Sequence, residues 1–318
     1  MLKRRNYIII ITFLLSVYFC ILGSYQTNAT ELKQSRLQLC NSKNIGTELE
    51  PIDNQQLFRP EILFKTKSFG TLSLSAAPFP SIHTAAKKAK IPVMMYHDII
   101  PEKKVIYDLT PQELNKDFEI IKAAQITPIS INKLVAHLRT GSPLPKKPIL
   151  LTFDDGYGGH YEYAYPLLKK YGYPAVFAVH TSAVGINTGR SHVTWQQLKS
   201  MVNDPLITIS SHSRTHPALT KISDKQLEQE IIESKRLLES KLNKKIIYFT
   251  YPYGNYDSRV KKIVREAGYV AAIAFGTPSE MFAAQSEDLF AISRFEKSRL
   301  ESVIPQASGN PTFPNCNS

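Results

Sequence analysis

The sequence predicts an α/β fold, a distorted (β/α) barrel formed by a single domain. Three observations carry that expectation. Short, nearly uninterrupted apolar runs recur at 149–153, 175–179, 207–209, 246–249 and 270–274. Stretches with helical spacing separate them, the pattern of parallel β/α units. Polar residues suited to chemistry stand directly after the runs, at the strand ends where barrel active sites lie. No glycine-rich loop follows the first strand, which argues against dinucleotide binding.

The elements are read in chain order. Lys3, Arg4 and Arg5 precede an uncharged apolar run over 7–23, as in an export signal. Thr27-Asn28-Ala29 offers small residues for cleavage after Ala29. Residues 1–29 are therefore a cleaved signal peptide or a retained N-terminal membrane anchor. Either places the rest of the chain outside the cytoplasm: extracellular, periplasmic or held at the outer face of the membrane. Residues 30–90 lack periodicity and read as a spacer.

The domain is expected over 91–300. A buried strand at 91–96 ends at His97. Thr110 with Glu113 forms a capping-box pattern, and Leu114, Phe118 and Ile121 continue the helix. A second helix is expected at 129–138, then a turn-rich loop over 141–148. Strand 149–153 runs straight into Asp154 and Asp155. A helix at 163–171 leads to strand 175–179, and one at 194–201 leads to 207–209 and Ser210-Ser211-His212. Ser223, with Gln226 three residues on, caps a long helix over 223–242 that leads to 246–249. Helix 258–267 stops at Gly268 before strand 270–274, and a last short strand is expected at 289–292. Residues 301–318 form a tail.

Composition narrows the partners. In 318 residues, 43% hydrophobic and 10% aromatic content excludes general disorder, and three cysteines exclude a disulfide scaffold. If Cys20 leaves with the signal, Cys40 and Cys316 remain as a candidate pair. Loss of Lys3, Arg4 and Arg5, with no acid among residues 1–29, takes the net charge from +12 to +9. A basic exported chain suits an anionic envelope or polymer; dispersed charge and export exclude nucleic acid.

The chemistry concentrates in three places. In Thr152-Phe153-Asp154-Asp155-Gly156, adjacent carboxylates at a strand end face different ways, so one can ligate a metal while the other acts as a base. His212 and His216 stand four apart beside another strand end and complete a two-histidine, one-carboxylate set with Asp155. That set holds zinc or another divalent ion while leaving positions open. Third, Thr250-Tyr251-Pro252-Tyr253-Gly254-Asn255 is a turn that can present a backbone N–H to an oxyanion and an aromatic wall to a sugar.

This ordered set resembles the polysaccharide deacetylase family, the carbohydrate esterase family 4 or NodB-homology enzymes. Met95-Tyr96-His97-Asp98-Ile99 resembles the entry segment of the subgroup that deacetylates poly-β-1,6-N-acetylglucosamine. The resemblance spans 91–295. It implies a NodB-type barrel that removes N-acetyl groups from an N-acetylglucosamine-containing polymer such as an exopolysaccharide, peptidoglycan or a chitin-like oligomer. By the same resemblance Asp154 is the general base. Asp155, His212 and His216 hold one divalent metal, zinc first, with cobalt, nickel or iron as alternatives, and the Tyr253 N–H faces the tetrahedral intermediate.

The sequence departs from the family in two respects. Thr250 and Tyr251 stand near the position of a family arginine, and Arg294 is the substitute on offer. No histidine follows His216 to serve as the late acid, which leaves protonated Asp154 or, in a supporting place in the groove, His97. His160, His180 and His192 lie near the same loops, as do Tyr157, Tyr161, Tyr163, Tyr165 and Trp195; one or two of these aromatics are expected to meet sugar. The alternative readings are an O-deacetylase or phosphoesterase on the same fold and a glycan-binding protein without turnover.

Overall fold

The structure, a computed structural model, describes residues 79–187, 189–275 and 281–309. The expected signal or anchor, all three cysteines and the spacer up to residue 78 lie outside the described residues. Among the described residues no helix is long and apolar enough to cross a membrane.

Among the described residues, eight parallel strands build a curled sheet flanked by helices. They are β1 Val93–Tyr96, β2 Thr127–Pro128, β3 Pro148–Phe153, β4 Ala175–Val179, β5 Ile207–Ser211, β6 Tyr248–Thr250, β7 Ala271–Ile273 and β8 Phe295–Glu296. The order is β7-β6-β5-β4-β3-β1-β8, with β2 also on β3. Helices cover the faces, so β1, β3 and β4 are buried along their whole length, which is why their sequences run apolar without alternation. The sheet stays an open half-barrel: its end strands β7 and β8 do not pair, and β7 instead bridges Ile273 to Ile292, ahead of β8.

Local signals explain the helices. α1 (Pro111–Ala123) starts on the Thr110–Glu113 capping box, and Ser130 caps α2 (Ile131–Thr140). α3 (Tyr165–Tyr171) follows a π-helical turn at His160–Ala164. Thr194 with Gln197 caps α4 (Trp195–Val202). The long helix expected at 223–242 forms without a break, as α5 (Asp224–Glu228) and α6 (Ser234–Leu242) joined by a π-helical turn, Gln229–Glu233. Asp257 caps α7 (Ser258–Glu266), and α8 (Leu300–Val303) closes the series.

Two readings need correction. The last strand is not 289–292 but Phe295–Glu296; residues 289–292 instead exchange backbone hydrogen bonds with β7 at Ala272 and Ala274. Its two-residue length leaves no periodicity to read. The core also reaches past the expected 91–300: Ile82, Ala86 and Ala89 are buried before it, Ala307 after it, and Lys90 bridges Ser308. Those apolar residues stand alone or, as in Ala85-Ala86, in a short pair among polar ones, so no run marks them.

Tyr96, Phe153 and Phe177 stand in one register row across β1, β3 and β4, their rings stacked 5.1 and 5.0 Å apart. Asp154 follows directly on this row, after Phe153. Beside it, Asp117 of α1 is buried, with the Tyr96 hydroxyl, Lys297 at 3.7 Å, Glu113 and Glu301 around it. Burial pushes its pKa up to about 6, more than Lys297 draws it down. Through the window from about pH 4 to about pH 6 the folded chain holds a proton the unfolded chain has released, so stability falls as pH rises. Asp117→Asn should therefore add about 1–3 kcal/mol near pH 7.5 and little near pH 4.5. Chemical denaturation at the two pH values measures this; an equal gain at both would contradict it.

Candidate functional site

The site lies at the C-terminal ends of β1, β3, β5 and β6. β3 ends at Phe153, and the chain turns at Asp155, whose φ is +74°. Ser213 (+66°), His216 (+62°) and Tyr253 (+57°) share this left-handed backbone, so four of the six described non-glycine residues with positive φ gather here. Such conformations cost energy and concentrate where geometry serves function. Gly254 makes the Tyr253 turn possible: at its φ of +67° a Cβ would stand 2.4 Å from the Phe275 backbone nitrogen.

Asp155 Oδ1 lies 3.4 Å from His212 Nε2 and 3.3 Å from His216 Nε2, and the two Nε2 atoms are 3.2 Å apart. A tetrahedral ion bound at about 2.0–2.1 Å needs ligand atoms about 3.3–3.4 Å apart, so this triangle fits one divalent metal. The tautomer is also set. His212 Nδ1 donates to the Thr250 carbonyl at 2.7 Å, leaving Nε2 free to ligate. Burial and the neighbouring His212 press His216 down to about 4, so it is neutral and ready to bind. Burial opposes charge on Asp155, yet His212 outweighs it and holds the carboxyl far below its usual range. An Asp/His cluster able to hold a divalent metal is thus in place.

Asp154 serves differently. It is 2% exposed, and Arg294 grips it with both nitrogens, Nη1 to Oδ1 at 2.8 Å and Nη2 to Oδ2 at 2.6 Å. Burial would raise its pKa; Arg294 and then His212 override that and keep it ionised. Arg294 itself is 1% exposed and stands just before β8, which pairs with β1 on the side away from β3.

The remaining expected residues divide. Tyr253 is 60% exposed, its ring 4.7 Å from that of His216. His97 is half-buried at the end of β1, 5.7 Å from the Tyr107 ring. Tyr251 is fully buried and its hydroxyl donates to the Phe290 carbonyl, so it supports the turn and cannot touch a sugar. His160 is buried too, bonded to the His97 carbonyl and pushed down to about 4 by burial. His180 stands 5.6 Å from His216, and His192 packs 5.1 Å from Tyr157. Tyr161 and Tyr165 pack 6.0 Å apart on one another, and Tyr165 donates to Asp204.

Glu230 escapes any reading of the sequence. From the π-helical turn, Oε2 accepts from the backbone N–H of Arg214 (2.9 Å) and Thr215 (2.7 Å), while Oε1 accepts from Thr215 Oγ1 (2.6 Å). It pins the loop that carries His216, and no local motif announces it. Glu230→Gln should weaken metal binding about 10–100-fold, as losses of such outer supports do. Chelator competition reads this; unchanged affinity would assign Glu230 a purely structural part.

The comparisons with known proteins agree with this geometry. Residues 141–272 match the polysaccharide deacetylase family, a span that includes Asp154, Asp155, His212, His216 and Tyr253. Over that span the chain is similar to polysaccharide deacetylase domains. It is 28% identical over 225 residues to YxkH of Bacillus subtilis, a protein assigned to the polysaccharide deacetylases, covering 70% of this chain and 75% of that one. It is 30% identical over 112 residues to the poly-beta-1,6-N-acetyl-D-glucosamine N-deacetylase of Escherichia coli K12, covering 31% of this chain and only 17% of that enzyme. Among solved structures, the deacetylase PplD of Streptococcus pyogenes in complex with acetate superposes with a TM-score of 0.62 at 25% identity, covering 69% of this chain and 98% of that one. The site and these similarities together support a metal-assisted hydrolase.

Proposed function

We propose that the chain is an exported N-deacetylase acting on an N-acetylglucosamine-containing polysaccharide, with Asp154 as general base. The observation that carries the proposal is the adjacency of two unlike carboxylates: Asp155 aimed at the metal triangle, and Asp154 held ionised by Arg294. When bound at Asp155, His212 and His216, a divalent metal, zinc in the first instance and otherwise cobalt, nickel or iron, lowers the pKa of water and polarises the acetyl carbonyl.

Asp154 takes the proton of the attacking water, and its fixed charge costs no reorganisation at that moment. We assign the Tyr253 N–H, on the left-handed turn beside His216, as donor to the developing oxyanion. The departing sugar amine needs a proton, and His97 is the better donor. His97 is half-buried at the end of β1, which pairs with β3, so it shares one rim with Asp154 and Asp155. His97→Ala should lower kcat about 10²–10³-fold while the metal stays bound. A variant with wild-type kcat would return the acid role to Asp154.

Acetate release from β-1,6- and β-1,4-linked N-acetylglucosamine oligomers and from peptidoglycan, with metal content measured in parallel, tests the function. Release with bound metal is the expected result. Release from O-acetylated substrates alone would make it an O-deacetylase, and glycan binding with neither metal nor acetate would make it a binding protein. Lys3, Arg4, Arg5 and the apolar run after them support action outside the cytoplasm, in solution or at the membrane.

A further inference from the structure

We propose that Arg190 is a positioning residue for this reaction, a clamp that holds the loops after β1, β3 and β4 in one arrangement beside the metal triangle. The proposal rests on the deacetylase reading above. Arg190 lies in the loop after β4. Its guanidinium donates two parallel hydrogen bonds to Asp108, Nη1 to Oδ1 and Nη2 to Oδ2, both at 2.8 Å. Nη1 also reaches Asp98 Oδ2 at 3.5 Å. Both carboxylates belong to the loop after β1, and Asp98 directly follows His97. The same guanidinium stands 5.3 Å from the centroid of Tyr157, which lies after β3, two residues past Asp155. One side chain thus touches all three loops.

The backbone is stitched to match. Gly158 N–H donates to the Ser191 carbonyl at 2.7 Å, and Val193 N–H to the Gly156 carbonyl at 2.9 Å. Lys104 Nζ donates to the Gly189 carbonyl at 2.6 Å. Asp108 Oδ2 accepts the N–H groups of Lys104 and Val105, which shapes the loop that returns from His97. At Gly159 the loops after β1 and β3 meet so closely that a Cβ would lie 1.9 Å from the Ile99 carbonyl oxygen.

Stability alone accounts poorly for this cluster. Asp98 and Asp108 are each 2% exposed, two buried carboxylates sharing one guanidinium, and Asp98 Oδ1 has no hydrogen-bond partner. Burying such groups costs more than packing apolar side chains of similar volume. A planar fork that fixes two loops at set angles on a third supplies geometry instead. The geometry it governs is that of His97, one residue from Asp98, and of Tyr157, on the loop of Asp155.

The test uses the full chain, zinc-loaded, with acetate release from β-1,6-linked N-acetylglucosamine oligomers and zinc stoichiometry read together. Arg190→Lys keeps the charge and loses the fork; Asp108→Asn keeps the shape and loses the charge. Each should lower kcat about 10–100-fold, with KM and bound zinc within about twofold of wild type. The double variant should be no worse than either single one, since both remove the same coupling. Wild-type kcat in Arg190→Lys, additive losses, or a loss that tracks missing zinc or unfolded protein would each overturn the clamp. An active wild type with unaffected variants sinks the clamp alone; a wild type that frees no acetate sinks the deacetylase reading with it.

Discussion

Asp155→Asn and His212→Ala should each abolish metal binding and lower turnover by about four orders of magnitude or more. Asp155 Oδ1 is the one atom that both Nε2 atoms face, at 3.4 and 3.3 Å, so its charge centres the triangle. Asparagine keeps the shape but removes the charge that balances a dication. His212 is oriented for this role by its Nδ1 bond to Thr250, which turns Nε2 to the triangle. Metal analysis of the purified variants beside acetate release makes the measurement. Full metal content in Asp155→Asn would move the metal elsewhere; full activity without metal would remove it from the reaction.

The residues that were legible in the sequence are those that local rules place. Phe153 ends an apolar run, so Asp154 and Asp155 had to emerge at a strand end; Thr110, Thr194 and Ser223 cap helices within a residue of the expected starts. What stayed hidden depends on contacts far apart in the chain. Glu230 reaches a loop 15 residues back from inside a helix, and the grip of Arg294 on Asp154, for which the sequence offered Arg294 only as a substitute after its last apolar run, spans 140 residues. Tyr251 and Tyr253 share a motif, yet one is fully buried and the other 60% exposed. The left-handed residue at Tyr253 flips the chain between them, and no pattern in Tyr-Pro-Tyr-Gly states which ring turns inward.

Removing Arg294 should be the most damaging change outside the metal ligands, and it separates stability from chemistry. Arg294 and Asp154 are 1% and 2% exposed, and their two parallel bonds measure 2.8 and 2.6 Å. Arg294→Met strands a buried carboxylate, which costs about 3–5 kcal/mol in comparable pairs. Asp154→Asn keeps the volume and still accepts one guanidinium hydrogen bond, so it should fold better than Arg294→Met. Its chemistry should fail, however, with kcat down about 10³–10⁴-fold and the metal retained, because an amide accepts no proton from water. Arg294 holds Asp154 below its ordinary pKa, so the folded state gains stability above the unfolded value near pH 4 and loses it as pH falls through the native value. Arg294→Met raises that native pKa and should shift the acid limb of activity towards higher pH. Denaturation of both variants with a pH–rate profile of Arg294→Met decides the matter. An unshifted acid limb in a folded Arg294→Met variant would mean that Asp154 does not carry the proton, and the base would have to be sought among the other groups facing the triangle.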